Sequence, residues 1–205
     1  LLSCGCSSGG FGQEVMRAVL RSGGSVAACK FESGEFKFEL FDDELRIAEF
    51  IGSKYVKSNP VGIYKSIKSR LKTGKKVLFI GLPCQVASLR NYVNDNANLY
   101  TIDLICHGSP SVKLLQKAVD EYGCALSKMK AIYFRSSDKF AIETQPLSIV
   151  PKGVQDRYTM AFLRGLCYTE NCYTCQYAQV ARAGDLTIGD SWGTEMTSEL
   201  PKGVS

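Results

Sequence analysis

The sequence predicts an α/β fold: a mixed, largely parallel sheet flanked by helices, with a cysteine-rich cluster-binding segment near the C-terminus. Three observations point there. Residues 75–93 (KKVLFIGLPCQVASLRNYV) and 98–123 (NLYTIDLICHGSPSVKLLQKAVDEYG) each read as buried strand, short loop and helix. Strand–helix–strand–helix order argues for parallel strands. Earlier, SVAACKF and FKFELF flank Ser33-Gly34, as two strands flank a turn. Finally, three of the nine cysteines fall within LCYTENCYTCQY.

The elements follow in order. Residues 7–24 read as a helix in which Phe11, Val15 and Val19 recur at every fourth position beside Leu20. Ser7 or Ser8 is its expected cap, and Gly23 and Gly24 its stop. After the strand pair, DDELRIAEFIG is a short helix with acidic residues in its first turn. GSKYVKS is a polar loop. NPVGIYKSIKSRLKTG is a helix with Asn59 as cap, Pro60 in the first turn and Gly74 past its end. After the two strand–helix units, AIYFRS and IETQPLSIV read as strands, RYTMAFLRGLC as a helix, and DLTIGDSWG as a strand running into a loop.

The 205 residues, 45% hydrophobic and 22% charged, suit one domain with a sizeable core. No apolar run approaches the roughly 20 residues of a membrane span. The expectation is a single domain over 1–205, cut at both ends from a longer protein. The chain has no initiator Met, LLSCGCSSGG lacks a signal-peptide core, and LPKGVS carries neither helix stop nor tail.

An odd number of cysteines with no export signal argues for reduced thiols in the cytoplasm. Cys84 follows one buried strand and Cys106 ends the next. Ligands in open α/β sheets bind beyond the carboxyl ends of strands, so neighbouring strands would turn both thiols into one crevice. Cys84 also sits at a helix start, where the dipole favours thiolate. Buried, inert core thiols are the bland alternative. For Cys167, Cys172 and Cys175 three readings compete. A redox disulfide of Cys172 and Cys175 normally sits at a helix start after a strand, whereas this pair follows a helix. Zinc wants two such pairs, or one pair with two histidines, and the chain has one histidine. An iron–sulfur cluster needs four thiolates and tolerates scattered ligands, and the C-x4-C-x2-C run imitates plant-type ferredoxin spacing. The cluster leads once Cys84 and Cys106 are added.

Charge gives a second clue. From Phe50 to Asn94 there is no acidic residue but nine basic ones: Lys54, Lys57, Lys65, Lys68, Arg70, Lys72, Lys75, Lys76 and Arg90. A solvated basic face explains most of such a run. The loop GSKYVKSNP, set before a helix start, would nonetheless cradle phosphates, and SSGGFG would serve likewise. Net charge is only +5, and no recognition motif points to nucleic acid.

The ordered set SSGGFG, GSKYVKS, VLFIGLPCQVASL, IDLICHGSPS, FRS, LCYTENCYTCQY and GDLTIGDSWG resembles the coenzyme F-420 hydrogenase/dehydrogenase beta-subunit family over nearly the whole chain. The resemblance implies an FAD-binding domain with a [4Fe-4S] cluster beside the flavin. It implies passage of electrons between iron–sulfur partners and a soluble acceptor such as coenzyme F-420. The implied cluster ligands are Cys84, Cys106, Cys172 and Cys175, with Cys167 a neighbour and Cys29 and Cys124 bystanders. The implied flavin contacts are Ser8, Gly9 and Gly10, then Ser53, Lys54, Tyr55 and Ser58, then the backbone from Gly81 through Pro83 to Gln85, with Lys54 on the pyrophosphate. His107 is expected in an outer role, donating a hydrogen bond near the cluster or flavin. No side chain is expected to act as a catalytic nucleophile or base. Expected partners are a ferredoxin-like or hydrogenase/dehydrogenase protein and a small-molecule acceptor. Two departures stand out. Only Cys4 and Cys6 precede SSGG, where many members carry a ferredoxin-like segment, and the chain stops soon after GDSWG. The alternative function is a binding protein with a structural zinc on the same cysteines.

Overall fold

The computed structural model describes residues 10–94, 96–136, 139–146, 148–151 and 154–190. Helix α1 (Gly10–Arg21) precedes the strands β1 (Ser25–Glu32) and β2 (Glu35–Phe41), followed by a 3-10 helix (Glu44–Glu49). Next come α2 (Ile63–Lys72), β3 (Val77–Gly81), α3 (Pro83–Val93), β4 (Leu99–Leu104) and α4 (Val112–Asp120). A second strand pair, β5 (Ala131–Ser136) and β6 (Lys139–Gln145), leads to α5 (Arg157–Leu163), α6 (Glu170–Tyr173) and β7 (Leu186–Ile188). The main sheet has the order β2-β1-β3-β4-β7. β1, β3, β4 and β7 run parallel, and β2 is antiparallel to β1. β5 and β6 form a separate antiparallel pair. Among the described residues no helix is long and apolar enough to cross a membrane.

Both faces of the main sheet are covered, which is why β3 at its centre reads as an unbroken apolar run. Successive side chains point to opposite faces. Ala27, Val77 and Phe79 pack against Ile63, Ile67 and Leu71 of α2 and Val86 and Leu89 of α3. Val26, Ala28 and Leu78 pack against Met16 and Leu20 of α1 and Ile47 of the 3-10 helix. A third cluster joins Leu115 and Val119 of α4 to Phe134, Ile142 and Tyr158, and reaches Phe36 of β2. Each such buried side chain contributes roughly 1.5–3 kcal/mol. The third cluster therefore ties the small sheet firmly to the large one.

Several boundaries differ from expectation. Helix α1 buries Met16 and Leu20, while Phe11 is 47% exposed, so the buried face is rotated from the predicted stripe. Its expected caps, Ser7 and Ser8, lie outside the described residues. Helix α2 begins at Ile63, not near Pro60, because Gly62 adopts φ 84° and turns the chain there. Asn59 accepts a hydrogen bond from Val61 N (3.0 Å) instead of capping the helix. The acidic helix is 3-10, held by Asp43 accepting from Leu45 N (2.9 Å). β4 ends at Leu104, so Cys106 stands just beyond it rather than at its end.

The 3-10 helix is locked to the first two strands by charge. Lys30, 7% exposed, meets Glu32 (3.0 Å), Glu39 (2.7 Å) and Glu49 (3.4 Å), and Arg46 meets Glu39 (2.6 Å) and Glu49 (2.7 Å). Hydrogen bonding from Arg46, joined by Lys30 and opposed by burial, pulls the Glu39 carboxyl from 4.5 to about 2. A depressed carboxyl stabilises the fold above its unfolded value and stops doing so as pH falls through its folded one. The Tm gap between wild type and Glu39→Gln should therefore be full above pH 4.5 and close towards pH 2. A gap that stays constant over that window in thermal melts contradicts this account.

The ends of β3 and β4 are fixed from across the sheet. Gly81 is in register with Asp103. The fully buried Asp103 accepts from Ala183 N (3.0 Å) and Gly184 N (2.9 Å) and pairs with Arg182 (2.9 Å). These bonds return the chain from the cysteine-rich segment into β7.

Candidate cofactor site

β3 and β4 end side by side, and a cysteine follows each. Cys84 occupies the first turn of α3 behind Pro83, and Cys106 lies in the turn after β4. Helix α6 and the residue following Thr174 bring Cys172 and Cys175 up to them. The four thiols lie close enough to feel one another. Burial raises the Cys84 thiol, the Lys57 ammonium opposes this, and Cys175 and Cys172 add to the rise. Burial also raises Cys106, with Gly108 opposing and Cys84, Cys172 and Cys175 adding. Among the described residues, no three His, Cys, Asp or Glu side chains are gathered tightly enough to hold one metal ion. Cys167 stands apart: its thiol lies near Tyr158, and burial raises it. Cys29 lies near Lys54 and Ser58, and Cys124 packs at the edge of the third core cluster.

Three segments are stitched together here. Lys57 N donates to Pro110 O (2.8 Å), and Thr169 N donates to Ser109 O (3.0 Å). Lys57 Nζ donates to Thr169 Oγ1 (3.0 Å) and Asn171 Oδ1 (3.2 Å). The sequence shows Lys57 only as one of nine basic residues, and its partners lie more than a hundred positions away. Its position in GSKYVKS, within the predicted flavin loop, is the one signal that could have marked it.

Against this group lies a mostly apolar cavity of about 500 Å³. Ser53, Lys54, Tyr55 and Ser58 line it from the loop after the 3-10 helix, Gly81 and Gln85 from the β3–α3 turn, and His107 from the turn after β4. Cys106 also lines it, so this thiol belongs both to the cavity wall and to the cysteine group. Gly10 is partly buried at the start of α1, two positions from Gly12 on the wall. Pro83 is buried at the start of α3, while Ser8 and Gly9 lie outside the described residues.

The polar residues of the wall have partners. Lys54 Nζ donates to Phe50 O (3.1 Å), Ile51 O (3.1 Å) and Gly52 O (3.0 Å), closing the end of the 3-10 helix. Burial lowers its pKa, and the Cys29 thiol opposes this. The expected pyrophosphate contact must therefore draw on a donor these carbonyls hold. Gln85 accepts from Leu82 N (2.9 Å) and donates to Ser58 O (3.3 Å) and Ser58 Oγ (3.2 Å), so both residues knit the loop to α3. Tyr55 stacks on Phe162 (4.5 Å between centroids, 13° between planes). From β5, Arg135, 2% exposed in its side chain, reaches Asp190 on the wall (2.5 Å) and lies over the Phe140 ring (5.1 Å).

His107 Nδ1 is in close contact with Tyr168 Oη, which also lies 2.9 Å from Phe162 O. Burial lowers the imidazole pKa, keeping it neutral at neutral pH. His107 thus lines the cavity with one ring nitrogen engaged by Tyr168. Gly108 makes room for this pair: it adopts φ 137°, and a Cβ there would land in the Tyr168 ring.

Comparison with known proteins bears on the fold and the family. No curated protein matches the sequence. A chain of the F420-reducing [NiFe] hydrogenase complex from Methanosarcina barkeri, in a xenon-derivatized structure, superposes with a TM-score of 0.64 at 19% identity. The match covers 92% of this chain and spans 66% of that one. At that identity the likeness establishes the fold. The family profile for the C terminus of the coenzyme F420 hydrogenase/dehydrogenase beta subunit matches residues 74–205, well over half of the sequence. The chain belongs to the coenzyme F-420 hydrogenase/dehydrogenase beta-subunit family.

Proposed function

We propose that this chain is an iron–sulfur flavoprotein that transfers electrons. It holds a [4Fe-4S] cluster on Cys84, Cys106, Cys172 and Cys175 and FAD in the adjoining cavity. It exchanges electrons with an iron–sulfur partner protein and with coenzyme F-420 or another soluble carrier. The observation that carries this reading is Cys106, which joins the group of four thiols and also lines the cavity. A ligand on each side of that residue would be nearest neighbours.

The donor set fits the cluster. Four thiols converge and the single histidine is engaged by Tyr168, so sulfur is the chemistry on offer. Bonds of about 2.3 Å at tetrahedral angles hold the sulfurs around one zinc only about 3.8 Å apart. A polynuclear cluster spreads its thiolates wider, and it is the iron and sulfide content that separates the two. The cavity fits a planar heterocycle: its wall is apolar, and Tyr55 and Phe162 offer a stacked aromatic face.

Bound FAD supplies the exchange between two-electron and one-electron transfer, so the protein needs no nucleophile. The side chains bind and orient instead. Phe50, Ile80, Leu104 and Ile188 exclude water from the cavity. Neutral His107 lines the cavity and offers its Nε2 side to a bound group. The test is anaerobic purification or reconstitution of the chain, with iron, sulfide, zinc and flavin assayed alongside the absorption spectrum. About four iron, four sulfide and one FAD per chain are expected. Zinc without iron or flavin would establish the structural-zinc alternative and overturn the proposal.

A further inference from the structure

The residues that hold α6 in place form a chain of donors ending on a sulfur. Thr169 is the residue before α6, where a threonine hydroxyl ordinarily accepts a backbone N–H to cap the helix. Here it makes no such bond. Its Oγ1 lies 3.2 Å from Cys172 Sγ and receives Lys57 Nζ at 3.0 Å. An ammonium can only donate, so Thr169 accepts from Lys57 and has its own proton to give. A ligating thiolate carries no proton, so the Thr169–Cys172 bond must then run from the hydroxyl to the sulfur.

We infer that Lys57 and Thr169 form a relay, ammonium to hydroxyl to the Cys172 sulfur, that sets the reduction potential of the group this sulfur binds. The inference rests on the reading of Cys172 as a cluster ligand. Three features support it beyond that reading. The relay crosses between segments 112 residues apart, so it is built by tertiary structure rather than by local turn chemistry. Asn171 Oδ1 takes a second Lys57 proton at 3.2 Å, which fixes the direction of the ammonium. The ammonium also stands a single hydroxyl from the sulfur, 3.0 Å to Thr169 Oγ1 and 3.2 Å from there to Cys172 Sγ.

The physical effect has a definite sign. Adding an electron makes a thiolate-bound cluster more negative, and hydrogen bonds to its sulfurs stabilise that charge. A relay with an ammonium at its head strengthens the final bond, because a polarised hydroxyl is a better donor. It therefore raises the potential. Lys57 and Thr169 are positioning residues: neither needs to touch flavin or substrate.

The test is a redox titration of the reconstituted full chain followed by electron paramagnetic resonance. Thr169→Val, which keeps the shape and removes the proton, should lower the midpoint potential. Thr169→Ser, which keeps the hydroxyl, should return it close to wild type. Lys57→Met should lower it as well, and the double variant should shift less than the two single shifts added. A wild-type midpoint in Thr169→Val, or an equal shift in Thr169→Ser, overturns the relay. If Thr169→Val holds no iron, Lys57→Met decides: a lowered midpoint supports the relay and an unchanged one overturns it. A wild-type chain that takes up no iron or sulfide overturns the proposed function, and the relay falls with it. A cluster with an unshifted midpoint overturns the relay alone.

Discussion

Serine at position 84, 106, 172 or 175 is expected to cost the chain at least about 100-fold in cluster retention, beyond the 10–100-fold that residues merely supporting a ligand are worth. The reason is electronic as well as geometric: a hydroxyl is a harder and far less acidic donor than a thiol, and iron–sulfur clusters are held by thiolates. Cys29→Ser and Cys124→Ser should keep the cluster, since neither thiol is among those that act on Cys84 or Cys106. Cys167→Ser should keep it too, because that thiol lies against Tyr158. Iron and sulfide per chain after anaerobic reconstitution give the answer, with circular dichroism as the check on folding. Retention in Cys84→Ser together with loss in Cys29→Ser would mean that the cluster sits elsewhere.

Asp190→Ala should have the largest effect on stability of any change to the cavity wall. Arg135 is almost wholly buried, and Asp190 is its ion-pair partner at 2.5 Å. Removing one member of a buried pair typically costs about 3–5 kcal/mol, and the hydrogen bond Arg135 shares with the Tyr55 side chain retains part of its compensation. The Arg135 guanidinium keeps its place over Phe140, which moderates the loss towards the lower figure. Because Asp190 and Phe140 both line the cavity, flavin retention should fall in parallel. Replacing both partners, as in Arg135→Leu with Asp190→Leu, should recover most of the stability. Denaturant melts distinguish these outcomes. A single variant within about 0.5 kcal/mol of wild type, the range of ordinary surface changes, would show that the pair does not clamp β5 to the wall.

What could be read from the sequence follows from what is local. VLFIG declares itself because a strand buried on both faces is apolar throughout. The turn at Ser33-Gly34 is legible because positive φ is a property of the residues in it. The convergence of Cys84 and Cys106 also follows from local order, once β3 and β4 are adjacent and parallel. Other features were hidden because they depend on long-range partners. Lys54 reads as a free cation before a helix, yet three carbonyls at the end of the 3-10 helix take its protons. Ser58 reads as a ligand contact, and nothing local shows that the Gln85 side chain meets its hydroxyl across the chain. Asn59 has the chemistry of a helix cap, and Gly62 displaces it by turning the backbone first. The pairing of Arg135 with Asp190 had no sequence signal beyond their presence in two separate motifs.

The thiols that converge at the end of the sheet come from two distant stretches of chain, and this imposes an order on biosynthesis. Cys84 and Cys106 leave the ribosome well before Cys172 and Cys175. At roughly 5–20 residues per second the interval is several seconds. β4 likewise waits for β7, its parallel neighbour on that side, whose pairing begins at Leu186. Throughout that interval the nascent chain presents a pair of cysteines beside an unpaired strand edge, open to oxidation and to intermolecular pairing. Under the proposed ligand set, loading of all four thiols waits until Cys172 and Cys175 have emerged, so yield in a producing cell should depend on keeping Cys84 and Cys106 reduced over that interval.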